Sequence, residues 1–216
     1  MGLIALVLDI LFPPKCVFCG RILGKSDDGW CDRCTESLPF ADNNGRQEGA
    51  HFDFCVSPLY YRGSVRKSIL RFKFRGSTTY AATYGKLLAD CIRESTDIGY
   101  DMISWVPLSG RRERSRGYDQ AMLLANATAQ ELGGVAVGTL LKPRDVKAQS
   151  ELGGIEERSA NISGAYVASD PELIRGKCVL LIDDVVTTGS TLSECAAVLL
   201  SAGAGRIVCA SLARGD

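Results

Sequence analysis

The run Val179-Leu180-Leu181-Ile182-Asp183-Asp184-Val185-Val186-Thr187-Thr188-Gly189-Ser190-Thr191 constrains this chain more than any other feature. Residues 177–182 form an unbroken apolar stretch opened by Lys177, which reads as a strand buried on both faces. Two carboxylates end it. A loop of hydroxyl side chains around one glycine follows, and residues 190–202, stopped by Gly203, read as a helix. Hydroxyls and backbone N–H groups at a helix N-terminus suit a phosphate, and Gly189 lets the backbone approach it closely. Carboxylates beside a phosphate make sense when the ligand also carries hydroxyls, because ionised carboxylates accept hydrogen bonds from a vicinal diol. The residues therefore suggest a ribose 5-phosphate cradle. Asp183 and Asp184 serve the sugar hydroxyls, and Thr187, Thr188, Gly189, Ser190 and Thr191 serve the phosphate.

The flanking pattern extends that unit into an α/β fold. Strands are expected over 54–61, 101–106, 135–141, 177–182 and 206–213, and helices over 64–71, 79–93, 118–132 and 190–202. Alternating strands and helices, with strands apolar on both faces, argue for a mostly parallel sheet covered by helices. Ligands of such sheets sit beyond the carboxyl ends of the strands, after Val106 and after Ile182.

Ahead of this region lie Cys16, Cys19, Cys31 and Cys34, two C-x2-C pairs separated by eleven residues. Each pair aims two thiolates at one point, and four sulfurs form the closed tetrahedral set of a structural zinc. Residues 1–40 then form a small zinc ribbon-like module with an apolar helix at its start. The polar stretch 41–51 reads as a linker, and 52–216 as the sheet domain. Cys55, Cys91, Cys178, Cys195 and Cys209 are scattered among apolar residues and read as buried, inert thiols. The apolar stretch 3–12 contains Asp9 and is about half of the ~20 residues that a spanning helix needs. No Lys or Arg precedes it as in a signal peptide, so no integral membrane span and a cytoplasmic location are expected.

Charge sharpens the functional classes. Lys plus Arg and Asp plus Glu each total 25, so the formal charge is zero and a protein that coats nucleic acid non-specifically is excluded. Affinity for anions must come from local clusters. One holds Arg111, Arg112, Arg114 and Arg116 with a single Glu, just past a strand end, where a pyrophosphate beside a bound ribose could rest. Another runs over 62–75, with Arg62, Arg66, Lys67, Arg71, Lys73 and Arg75 among Tyr60, Tyr61, Phe72 and Phe74. Basic groups and aromatics are the ingredients of a single-strand groove, although Phe72 and Phe74 fit a buried strand equally well. His51, the only histidine, excludes a serine–histidine triad.

The run 179–191 closely resembles the phosphoribosyl pyrophosphate signature of type I phosphoribosyltransferases. Two further blocks narrow the resemblance to the ComF family of competence proteins. Val106-Pro107-Leu108-Ser109 followed by Arg111-Arg112-Glu113-Arg114-Ser115-Arg116-Gly117-Tyr118-Asp119-Gln120 is similar to the family's V-P…R…R-G-[FY]-[ND]-Q block, with Asp119 in place of the more usual Asn. Gln149, Leu152, Arg158, Asn161 and Gly164-Ala165-Tyr166 resemble its Q-x-x-L…R…N…G-A-[FY] block, and the four-cysteine module also occurs there.

The resemblance implies a type I phosphoribosyltransferase fold over nearly the whole chain. It implies that Asp183 and Asp184 meet the ribose hydroxyls, that the 187–191 loop wraps the 5-phosphate, and that residues 106–109, with Pro107, Leu108 and Ser109 among them, form the pyrophosphate loop; the arginine cluster read from charge lies behind it. Its expected cofactors are structural zinc and Mg²⁺ bound with phosphoribosyl pyrophosphate. Two function classes follow. One is a pentosyltransferase whose acceptor the sequence does not name, with 147–158 as a closing loop hinged at Gly153-Gly154. The other is a module that binds the phosphoribosyl ligand or a nucleotide end and assists single-stranded DNA, alongside other DNA-uptake proteins. A glutamine-dependent amidotransferase is excluded, since the first cysteine, Cys16, belongs to the zinc set.

Overall fold

The computed structural model describes residues 13–24, 28–95, 98–143 and 165–215. The expected helix over 3–12, the closing loop 147–158, and Gln149, Leu152, Arg158, Asn161 and Gly164 lie outside the described residues.

Two nine-residue strands form the centre: β6 (Cys178–Val186) and β7 (Arg206–Arg214), parallel and in register from Cys178 opposite Arg206. On one side β3 (Met102–Trp105) pairs parallel with β6. On the other, β1 (Cys55–Val56) and β2 (Leu59–Tyr60) pair in turn with β7, also parallel. The expected strand over 54–61 is thus two short pieces on one partner. The expected strand over 135–141 is also divided: Ala136 makes an isolated parallel bridge to Ile103, while β4 (Leu140–Leu141) leaves to pair antiparallel with β5 (Val167–Ala168).

Period-two alternation sorts the central strands into two cores. Leu180, Ile182, Val208, Ala210 and Leu212 face one side and Val179, Leu181, Ile207 and Cys209 the other. The first face is covered by α2 (Gly63–Phe74), α3 (Tyr80–Glu94) and α5 (Gln120–Glu131). The second is covered by α6 (Pro171–Ile174) and α7 (Ser190–Ser201). Helices α3 and α5 approach so closely that a Cβ at Gly85 would lie 2.6 Å from the Ala127 Cβ and 2.8 Å from the Thr128 nitrogen. Glycine is required there by contact, since real Cβ atoms do not sit that near their neighbours.

Helix α2 runs one turn further than the sequence suggests. Val65, Ser68, Ile69 and Phe72 continue an i, i+3, i+4, i+7 stripe into the core. The helical period therefore separates two aromatics that a strand would have kept together: Phe72 is fully buried and Phe74 is 61% exposed.

The cysteine module, which holds the short α1 (Asp32–Ser37), sits on this helical face. Val17 and Phe18, inside the first C-x2-C pair, belong to the same core as Phe72, Tyr84 and Leu88. Phe18 meets Trp30 edge-on at 6.4 Å and Tyr84 at 6.2 Å. Ser68 donates to the Val17 carbonyl, and Lys86 pairs with Asp28 at 2.8 Å. The stretch expected as a linker is strapped down as well. Gln47 and Cys55 exchange both backbone hydrogen bonds, at 2.9 and 2.7 Å, and Arg214 Nη1 donates to the carbonyls of Gly45 and Arg46. Polar composition marks a surface segment, and it does not distinguish a tether from a strap.

Candidate functional site

The site grows from the end of β6. Trp105 is in register with Ile182, and the Val106 N–H donates to the Ile182 carbonyl, so the chain leaving β3 starts beside the two carboxylates. Beyond β6 come the exposed Thr187 and Thr188, then Gly189 at φ +74°, then α7. A left-handed backbone at that point favours glycine, which alone adopts it without a Cβ clash. The loop is supported from below: Gln47 Nε2 donates to the Thr187 carbonyl at 3.2 Å, and the Phe52 ring lies 3.4 Å from where a Gly189 Cβ would stand. Thr188 Oγ1 bridges to Ser190, donating to its Oγ and accepting from its N–H.

Adjacent strand positions put the two carboxylates on opposite faces. Asp184 points to the α2 side, where Lys73 Nζ reaches its Oδ1 at 2.7 Å. Asp183 points to the α7 side, toward Tyr166 and Cys195, whose titrations its charge opposes. Burial, and then the neighbouring charge of Asp184, push the Asp183 carboxyl up to about 8, against the help of the Asp184 N–H that it accepts at 2.7 Å. The end of β6 thus offers one carboxylate already balanced by a cation and one whose ionisation is resisted.

Asp119 ties the neighbouring loop in place. Its Oδ2 accepts the Leu108 N–H at 2.8 Å, and its Oδ1 accepts the Met122 N–H at 3.1 Å, capping α5. Each carboxylate oxygen thus takes one N–H, and an Asn in the same pose would turn its own NH2 toward one of these donors. Burial raises the Asp119 carboxyl, and the backbone N–H groups it accepts work against that rise. Sequence reasoning noted Asp119 only as a variant letter, although its place before a helix is a capping signal. Lys73 and Gln47 were not singled out for the site, because only the tertiary fold brings them to it.

The arginine segment is a short helix, α4 (Gly110–Arg116), rather than a loop. Arg111, Arg112 and Arg114 are exposed, and among the described residues no hydrogen bond or ion pair joins them to Asp183 or Asp184. Arg116 turns inward, donating to Gln120 Oε1 at 2.5 Å and lying 4.6 Å over the Phe74 ring. The 62–75 run divides likewise. Arg71 and Lys73 are engaged inside the protein, while Arg66, Lys67 and Arg75 stay exposed. His51 is exposed.

The four cysteines of the amino-terminal module converge, with all four Sγ atoms within 4.8 Å of one another. Cys16 and Cys34 are 3.6 Å apart and Cys19 and Cys31 3.7 Å. A tetrahedron with Zn–S of about 2.3 Å has edges of about 3.8 Å, so the thiols fit a structural zinc and are too far apart for disulfides. The donor set for Mg²⁺ differs: two carboxylates on opposite faces, one held by Lys73, make no cage, which suits an ion that arrives largely on a ligand's phosphates. Of the solitary cysteines, Cys55, Cys91, Cys195 and Cys209 are buried as expected. Cys178 is half-buried, its thiol donating to the Gly99 carbonyl at 2.8 Å.

Comparison with known proteins finds two family matches in the chain. Residues 119–216 match the family described as Phosphoribosyl transferase domain, and residues 7–48 match Double zinc ribbon domain. A DNA utilization protein YhgH of Salmonella typhimurium is 30% identical, over 90% of this chain and 94% of that protein. Competence protein F of Haemophilus influenzae is 27% identical over 93% and 96%, and Competence protein ComFC of Bacillus subtilis is 25% identical over 87% and 72%. Among the described residues no helix is long and apolar enough to cross a membrane.

Proposed function

The chain belongs to the ComF family of competence proteins, and from that premise we propose that it binds phosphoribosyl pyrophosphate at the end of β6 in the service of DNA uptake or use. The observation that carries this reading is the succession along one strand and turn: Asp183 and Asp184, the left-handed Gly189, and the N-terminus of the twelve-residue α7. A ribose seated over the strand end meets a carboxylate from each face through its two hydroxyls, and its 5-phosphate lies in the 187–191 loop against the first N–H groups of α7. The pyrophosphate then falls toward Pro107, Leu108 and Ser109. Mg²⁺, when bound with the ligand, neutralises pyrophosphate charge.

The chemistry open to such a site is displacement of pyrophosphate at the anomeric carbon. It needs no nucleophilic side chain; the protein orients the sugar and places negative charge beside a carbon that becomes positive. Calorimetric titration of the zinc-loaded protein with phosphoribosyl pyrophosphate and Mg²⁺ tests binding. Pyrophosphate release with a panel of bases and amines separates turnover from binding alone. Absence of any heat of binding would remove the phosphoribosyl reading.

A second reading, direct contact with single-stranded DNA, is favoured by one observation. Phe74 is exposed beneath the Arg116 guanidinium, with Arg75 next to it and Arg66 and Lys67 further along α2. An open ring under a cation is a stacking platform for a base.

A further inference from the structure

The side-chain amide of Gln47 is only half satisfied. Its Nε2 donates to the Thr187 carbonyl at 3.2 Å, but its Oε1 is buried and has no hydrogen-bond partner among the described residues. An orphaned buried acceptor costs as much as one neutral hydrogen bond contributes, or more. For stability alone, an apolar side chain of the same length would serve as well. The amide therefore calls for another explanation.

Peptide geometry supplies one. Across a planar trans peptide the N–H points opposite to the C=O. A Thr187 carbonyl held on Gln47 therefore turns the Thr188 N–H away from Gln47. Among the described residues that N–H has no hydrogen-bond partner. Gly189 is buried over Gln47 and Phe52, whereas Thr187 and Thr188 are exposed, so the loop is closed on the Gln47 side and open on the other. Gln47 can hold a peptide still because its own backbone is fixed. It exchanges two hydrogen bonds with Cys55, whose strand β1 pairs with β7, and Arg214 grips the carbonyls of Gly45 and Arg46 just before it.

We propose that Gln47 is a positioning residue: from 140 positions away it holds the 187–188 peptide so that the Thr188 N–H faces the 5-phosphate of a bound phosphoribosyl ligand, and the empty protein is the less stable for it. This rests on the phosphoribosyl reading and adds the residue that readies its phosphate loop before the ligand arrives.

The test sets affinity against stability. Gln47→Met keeps the side chain's length and removes both the donor and the orphaned acceptor; Gln47→Leu repeats the removal with a different shape. Zinc-loaded wild type and both variants are titrated by calorimetry with ribose 5-phosphate and, with Mg²⁺, with phosphoribosyl pyrophosphate. They are also melted without ligand, and the Thr188 amide is followed by NMR at saturating ribose 5-phosphate. Both variants are expected to bind both ligands about 2- to 10-fold more weakly, the worth of one neutral hydrogen bond. Their melting temperatures without ligand should not fall. The Thr188 amide proton should move downfield on ligand addition in wild type and move less in the variants. A Gln47 that served the fold alone would lower the melting temperature and leave the amide shift at saturation as in wild type. That result, or wild-type affinity in both variants, would overturn the proposal. Wild-type protein that binds neither ligand would overturn the phosphoribosyl reading on which the proposal stands.

Discussion

Arg71 of α2 donates from Nη2 to the Val17 carbonyl at 2.7 Å, across 54 positions of the chain, and the same nitrogen reaches the Phe18 carbonyl at 2.9 Å. The backbone of the first C-x2-C turn is thereby fixed to the helix whose Phe72 fills the sheet's core. The zinc module and the sheet share one core.

A consequence concerns zinc. The purified protein is expected to carry about one zinc per chain, and Cys31→Ser to lose it. Because the module is part of the shared core, this substitution should lower the melting temperature of the whole protein in one transition. Arg71→Ala, with zinc retained, should cost about 2–4 kcal/mol through the lost charged hydrogen bonds. Thermal melts followed by circular dichroism beside metal analysis check both. A Cys31→Ser protein whose sheet melts at the wild-type temperature would show the two parts to be independent.

The ligand site gives a second expectation. At a pH above about 8, where Asp183 is ionised, Asp183→Asn and Asp184→Asn should each weaken phosphoribosyl pyrophosphate by about 1.5–3 kcal/mol for each charge-assisted bond lost. Gly189→Val should abolish binding, since a β-branched residue does not hold φ +74° and the loop must refold. Calorimetry on the three variants decides; wild-type affinity in both Asp variants removes the ribose assignment and leaves the fold untouched.

The Asp183 carboxyl makes stability depend on pH. Its value rises on folding from 3.8 to about 8, so the folded protein holds the proton more tightly than the unfolded chain does. The group therefore favours the fold below about pH 4, and stability drains away as pH climbs toward about 8. Asp183→Asn removes this drain. The melting temperature of the variant relative to wild type is expected to be higher at pH 9 than at pH 5. A difference that is flat between those pH values, or that runs the other way, contradicts the burial argument.

The layout of the candidate site was legible in the sequence because it is local. The strand, both carboxylates, the glycine and the helix start are contiguous in 179–191, and each obeys a short-range rule. Residues that reach the site from elsewhere were not legible. Lys73 looked like one more cation of a surface run, because nothing local says that its helix ends over Asp184. Phe72 and Phe74 could be told apart only by knowing whether the period was two or 3.6. The strap at 41–51 was missed for a related reason. It is held by backbone hydrogen bonds to 55–58, and by side chains from distant parts of the chain such as Arg214, and neither leaves a mark on its own composition.

The last expectation concerns DNA. The fold removes Arg71 and Lys73 from the surface run and leaves Arg66, Lys67 and Arg75 facing solvent, with Phe74 exposed under Arg116. If single-stranded DNA follows this side of α2, two physically different contacts are being made. Charge neutralisation should appear as salt dependence, with a log–log slope of about −0.7 for each phosphate met on a single strand. Stacking should appear as a loss nearly independent of salt, about 1–3 kcal/mol for one base. Fluorescence titrations of a labelled oligonucleotide at several salt concentrations separate them. Arg66→Glu and Lys67→Glu are expected to flatten the slope, and Phe74→Ala to weaken binding at every salt concentration without changing it. Among the described residues none of the three side chains is hydrogen-bonded or ion-paired to Asp183, Asp184 or the Lys73 ammonium, so phosphoribosyl pyrophosphate affinity should stay at its wild-type value. Binding that all three substitutions leave unchanged would mean that this face of α2 is solvated surface, and that any DNA is met elsewhere on the protein.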